Sequence, residues 1–99
     1  MSIAYRYTFA SSVPLDEVEA SLALAVVATE STFGETQTFL DAAHGFDAAA
    51  RQLVIDASTD VGRNLNQIFA GYLRREFGAE AFTVVRITQP STIDQAIPA

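Results

Sequence analysis

The stretch ARQLVIDASTDVGRNLNQIFAGYLRREFG, residues 50–78, carries the strongest folding signals of the chain. Its first part, Arg51–Ala57, is short and β-branched in the middle, which is typical of a strand covered on at least one face. Ser58–Asp60 follow, and their side-chain oxygens can accept hydrogen bonds from the free amides of a helix's first turn. Apolar residues then recur at helical spacing: Val61, Leu65, Ile68, Phe69, Tyr72 and Phe77. The stretch therefore predicts a buried strand followed by a capped helix that closes at Gly78.

Four further segments surround this unit. Ile3–Ala10 alternates aromatic with smaller or polar residues and predicts a half-buried first strand. An apolar stripe from Leu15 to Thr29 predicts a helix that ends at Phe33 and Gly34. Glu35–Gly45 is the weakest element, and we predict an edge strand there because threonine and phenylalanine favour strands. Ala81–Ile87 predicts the last strand.

The resulting β-α-β-β-α-β order predicts the fold class. We expect an α+β domain over residues 1–88, a ferredoxin-like βαββαβ sandwich in which a four-stranded antiparallel sheet has two helices on one face. Residues 89–99 contain Pro90 and Pro98 and show little periodicity, so we expect a flexible C-terminal tail.

Composition limits the classes of function. The 99-residue chain has no cysteine, which excludes a disulfide framework, a thiolate nucleophile and a cysteine metal site. A net charge of -6 opposes a nucleic-acid partner, because neutralising phosphates needs clustered cations. There is no signal-peptide pattern and no apolar stretch near the roughly 20 residues that cross a bilayer. We therefore expect a cytoplasmic protein without a nucleic-acid or membrane partner.

Alternation along the strands predicts the two faces of the sheet. The helix-covered face is assigned Tyr5, Tyr7, Phe9, Leu53, Ile55, Val85 and Ile87. The open face is assigned Arg6, Thr8, Gln52, Val54, Asp56, Phe82, Val84 and Arg86. An open face with Val54, Phe82 and Val84 is too apolar to stay bare. We expect these three residues to form the interface of a homodimer related by a two-fold axis.

The same open face suggests an anion site. Arg6 and Arg86 would be neighbours there if the first and last strands pair antiparallel, with Gln52 close by. Paired arginines can bind the carboxylate or phosphate of a small ligand. Arginines on a surface more often pair with acids of a partner subunit or face solvent. Both interpretations stay open.

The sequence contains little evidence for a catalytic or metal-binding site. His44 is the single histidine, and without cysteine it cannot build a structural zinc site. The acids around Asp56–Asp60 can hold magnesium in principle, but helix capping accounts for them without chemistry. The aromatic residues of Ile3–Ala10 can stack nucleobases in principle, but core packing fits an acidic chain better. We predict no catalytic residue, no metal and no cofactor.

The favoured function is a small non-catalytic interaction or ligand-sensing module, homodimeric through the open sheet face. The alternative is a small enzyme whose site lies between that face and a partner subunit, built from Arg6, Arg86, Asp56 and His44. The GxSxG, GxGxxG and Walker motifs are absent, so no catalytic or nucleotide-binding family is indicated. Leu22–Val27 is more apolar than one helix face requires, which indicates a crowded core or a second contact surface.

Overall fold

The computed structural model describes residues 2–89 and the side chains of residues 3–88. The elements, in chain order, are β1 (Ser2–Phe9), α1 (Leu15–Phe33), α2 (Glu35–Asp41), β2 (His44–Asp47), β3 (Gln52–Asp56), α3 (Asp60–Phe77) and β4 (Phe82–Gln89). The sheet is antiparallel with strand order β2-β3-β1-β4. The α+β class and the four-stranded antiparallel sheet are confirmed, whereas three helices lie within residues 2–89 and two were predicted. Most of the predicted tail, with Pro90 and Pro98, falls outside the described residues.

The predicted strand and capped helix at the centre of the chain are present as β3 and α3. Thr59 is the residue that caps α3, because its Oγ1 accepts a hydrogen bond from the Gly62 amide at 2.9 Å. At the other end Gly78 has φ 87°, and its amide donates to the Arg74 carbonyl at 3.1 Å. Glycine reaches this positive φ without the steric penalty of a Cβ. Both ends of α3 are thus set by local sequence.

The core lies between one face of the sheet and the helices. Its buried apolar side chains come from β1, β3, α1 and α3, and include Tyr7, Phe9, Val18, Ala25, Leu53, Ile55, Leu65, Phe69 and Leu73. The ring of Tyr7 meets that of Phe69 edge-on, with centroids 5.1 Å apart. The Tyr7 hydroxyl donates to the Asn66 side-chain oxygen at 2.5 Å, so this buried phenol keeps a hydrogen-bond partner. Tyr7 therefore ties the middle of β1 to α3.

The edge strand predicted over Glu35–Gly45 is wrong. Most of that segment is α2, in which the Ala42 amide donates to the Thr38 carbonyl at 2.9 Å and Gln37 donates to Asp41 one turn later. Neither glycine nor proline interrupts the segment before Gly45, and Thr38 gains burial by facing inward on a helix. An edge strand does exist, but it begins at His44 and pairs with β3.

The face assignment of the last strand is also wrong. The register of β4 against β1 pairs Phe9 with Phe82, Tyr7 with Val84 and Tyr5 with Arg86. Residues opposite each other in an antiparallel pair point to the same face, so Phe82, Val84 and Arg86 lie on the helix-bearing side. Phe82 packs against the core with its ring centroid 6.1 Å from that of Tyr7. Val85 and Ile87 lie on the open face instead, because a shift by one residue exchanges all side chains of a strand.

Candidate functional site

The residues of the predicted anion site are not brought together. Arg6 pairs with Val85 and Val54 on the open face, whereas Arg86 pairs with Tyr5 on the helix-bearing face. The prediction that the two arginines are neighbours on one face is therefore wrong. Gln52 does share the open face with Arg6, opposite Thr8. Anion binding by these two residues stays a prediction.

The predicted interface residues are divided in the same way. Val54 is half-buried on the open face, while Phe82 and Val84 lie on the other side of the sheet. The larger apolar side chains of the open face, within the residues that the structure describes, are Val54, Val85 and Ile87, and Arg6 lies between the first two. Whether any of them contacts a partner subunit stays a prediction.

The side chains of the alternative enzyme site do not converge either. Asp56 is on the open face and accepts hydrogen bonds from the amide and hydroxyl of Ser58, at 2.8 and 2.6 Å. His44 is paired with Ile55, which belongs to the core-facing side of β3. Within residues 2–89, no group of three or more acidic or histidine side chains is arranged to hold a metal ion. No helix in that range is long and apolar enough to span a bilayer.

The most exposed apolar residues lie on the helices instead. We group the four most exposed large apolar side chains of the two helices under the name α1–α2 surface: Leu24, Val27, Phe39 and Leu40, which are 59%, 57%, 85% and 64% exposed. Leu24 and Val27 are three residues apart and so share a side of α1. The apolar excess of Leu22–Val27 was the signal for the α1 part. The α2 part was missed because its segment was predicted to be a strand.

A cleft opens beside this surface, between α1, α2 and β2. It has a volume of about 300 Å³ and is lined by Val26, Glu30, Thr38, Phe39, Ala42, Ala43 and His44. A second hollow continues from it along α1, sharing Val26, Glu30 and His44 and adding residues such as Glu19, Ala23 and Phe46. We call the two together the α1–β2 cleft. Its walls are mostly apolar, and Val27 and Phe39 belong both to the cleft and to the α1–α2 surface.

Three polar side chains of the cleft carry its chemistry. Thr38 is only 3% exposed, and its Oγ1 has no hydrogen-bond partner in the part of the chain that the structure describes. His44 Nδ1 lies 3.1 Å from the Ala42 carbonyl oxygen, and only a protonated Nδ1 can donate there. In the neutral ring this leaves Nε2 as an acceptor. Glu30 is half-buried and adds a carboxylate.

An apolar cleft with a few polar groups has the general form of a small-molecule site. Its Glu30, Thr38 and His44 can hold a polar head while Val26 and Phe39 contact an apolar body. This combination was not predictable from the sequence, since the three polar residues come from α1, α2 and β2. Comparison of the chain with protein-family models, with curated proteins and with solved structures finds no match.

Proposed function

We propose that this chain is a small non-catalytic interaction module that self-associates through the α1–α2 surface. The observation that carries the proposal is Phe39, an aromatic side chain that leaves 85% of its surface in water. Large exposed apolar patches mark contact sites, and aromatic residues dominate the energetics of protein interfaces. In a homodimer related by a two-fold axis, a second copy of the chain would cover Phe39.

We infer in addition that the architecture is ferredoxin-like. In support, the strand order is β2-β3-β1-β4 and the elements follow β-α-β-β-α-β once α2 is taken as an insertion before β2. This fold hosts many unrelated functions, so it supports no activity by itself.

The open sheet face is the second candidate for the contact between subunits. It offers Val54, Val85 and Ile87, of which Val85 is the most exposed at 46%. Arg6 and Asp56 interrupt these residues on the same face. Burying a charged group without a well-placed partner is costly, so this face is less suited to a dry interface than the α1–α2 surface.

The test compares one substitution on each surface by light scattering. We expect a wild-type dimer, a folded monomer for Phe39→Arg, and a dimer for the matched control Val85→Arg. Both positions are exposed, so neither substitution disturbs the core, and circular dichroism confirms that each variant is folded. A monomeric wild type would overturn the proposal. A dimer that survives Phe39→Arg but dissociates in Val85→Arg would move the interface to the sheet.

A further inference from the structure

We infer that the α1–β2 cleft binds a small molecule that has an apolar body and a protonated amine head. This site goes beyond the proposed self-association and does not depend on it, since it is argued from Glu30, Thr38 and His44, which are not residues of the α1–α2 surface. Four features of the cleft support the inference: its charge, the unpaired hydroxyl of Thr38, its number of acceptors and its volume.

The charge of the cleft selects a cation. Glu30 lines both parts of the cleft and Glu19 lines the part along α1, whereas none of the lining residues is an arginine. Glu30 is half-buried among apolar walls, where an ion pair is screened less than at an open surface. A carboxylate ligand would be repelled by the same group. The cleft therefore favours an ammonium over a neutral or acidic head.

The hydroxyl of Thr38 needs a partner that the described residues do not supply. A threonine inside a helix commonly donates to the carbonyl one turn back, but here the Gly34 carbonyl accepts only the Thr38 amide, at 3.1 Å. Buried polar groups are nearly always hydrogen-bonded, because leaving one unpaired costs free energy. An N–H donor of a ligand head in the cleft would supply a partner for the Thr38 oxygen.

The number of acceptors fits a primary ammonium. Such a group has three N–H donors, and the residues that line the cleft carry three acceptors: the Glu30 carboxylate, Thr38 Oγ1 and His44 Nε2. Phe39 adds an aromatic ring at the rim, which attracts a cation through its π face. The part of the cleft beside Thr38 has a volume of about 300 Å³, which lies at the small end of ligand sites and suits a body of one aromatic ring or a short alkyl chain. The part along α1 is wider, at about 710 Å³.

Phenethylamine is a suitable probe, with phenethyl alcohol and hydrocinnamate as neutral and acidic analogues of similar shape. Titration into isotope-labelled protein, followed by backbone amide NMR signals, is expected to shift Thr38 and His44 saturably and to leave Gly71 on α3 unchanged. We expect the amine to bind at least about tenfold more tightly than the alcohol, as a charge-assisted hydrogen bond allows. Equal binding of amine and acid, or no saturable shift with the amine, would overturn the inference.

Substitutions separate a specific site from general attraction to an acidic protein. Glu30→Gln is expected to weaken amine binding about tenfold. The control Glu17→Gln removes the same charge from an exposed position of α1 outside the cleft and is expected to have no effect. An equal loss in both variants would show that the amine binds through net charge alone, and would refute the site.

Thr38→Val tests the hydroxyl directly, because valine has nearly the same shape. It is expected to weaken amine binding severalfold while raising the melting temperature of the free protein by about 4–8 °C, since an unpaired buried hydroxyl is removed. Higher stability with unchanged affinity would refute contact between Thr38 and the ligand. Self-association is measured separately by light scattering, so failure of the ligand site leaves that proposal intact, and the reverse also holds.

Discussion

Two glycines of α3 predict opposite responses to the same substitution. Gly62 is buried in the first turn, against the end of β3, and a Cβ built there would lie 2.1 Å from the Asp56 carbonyl oxygen. Contacts of a real Cβ are essentially never below 3.0 Å, so the two backbones would have to separate by about 1 Å. A Cβ at Gly71, later in the same helix, meets nothing within 4 Å.

The magnitudes follow from these distances. Overpacking lowers stability by about 1–3 kcal/mol. The cost of a Cβ at Gly62 lies at the upper end of this range, because the obstructing atom belongs to the backbone and no rotamer change relieves the contact. The higher helix propensity of alanine offsets at most about 1 kcal/mol of this loss in stability. We therefore expect Gly62→Ala to lower the free energy of unfolding by about 2 kcal/mol, and Gly71→Ala to raise it by about 0.5–1 kcal/mol.

Equilibrium unfolding in urea, followed by far-ultraviolet circular dichroism, measures both changes against the wild type. The midpoints should move in opposite directions while the slope of free energy with urea stays constant, because the surface exposed on unfolding is unchanged. If Gly62→Ala were as stable as the wild type, the close approach of α3 to the end of β3 would be refuted. A loss of stability in Gly71→Ala would show that the outer side of α3 is more crowded than the distances indicate.

Two further predictions concern β1 and the loops around it. Burial, and to a smaller degree the charge of Tyr5, raises the pKa of Tyr7, so the folded protein keeps this proton where the unfolded chain loses it. The free energy of unfolding is then unaffected below about pH 10 and falls above it by up to about 1.4 kcal/mol per pH unit. Urea unfolding of Tyr7→Phe, which lacks this proton, should show a weaker fall with pH than the wild type. The Arg51 guanidinium donates to three backbone carbonyls, those of Phe9, Ala10 and Val13. A lysine at position 51 cannot donate to all three carbonyls in this geometry, so we expect Arg51→Lys to lower the free energy of unfolding by about 1–2 kcal/mol. In the control Arg74→Lys, at the exposed end of α3, the free energy of unfolding should hardly change. Thermal melts measure both variants.

The strand β3 and the helix α3 were predictable from the sequence because the signals that define them are local. Thr59 accepts the amide of a residue three positions later, and Gly78 closes the last turn of the same helix. Neither interaction depends on the rest of the fold. The strand before them needs only a covered face, which any arrangement of sheet and helices supplies. Local agreement of this kind explains why β3 and α3 were placed almost to the residue.

The segment after Gly34 was not predictable in this way. Its threonines and Phe39 favour a strand, while its glutamate, glutamine and alanines favour a helix, so propensity alone does not choose. The choice depends on Thr38, which is buried against the rest of the fold, and on Thr59, whose hydroxyl donates to the Asp41 carbonyl at 2.6 Å. Both contacts are long-range, and they place α2 where its outer side carries Phe39.

The face of β4 was unpredictable for a different reason, and this bears on function. Val84 and Val85 are adjacent, so the strand has apolar residues on both faces and alternation is compatible with either orientation. The packing of Phe82 beside Tyr7 selects one of them. A charge at Phe82 is therefore expected to disturb folding instead of testing association, because this half-buried side chain packs against the core. A charge at Phe39 tests association, because that side chain is almost fully in water and its removal opens no cavity.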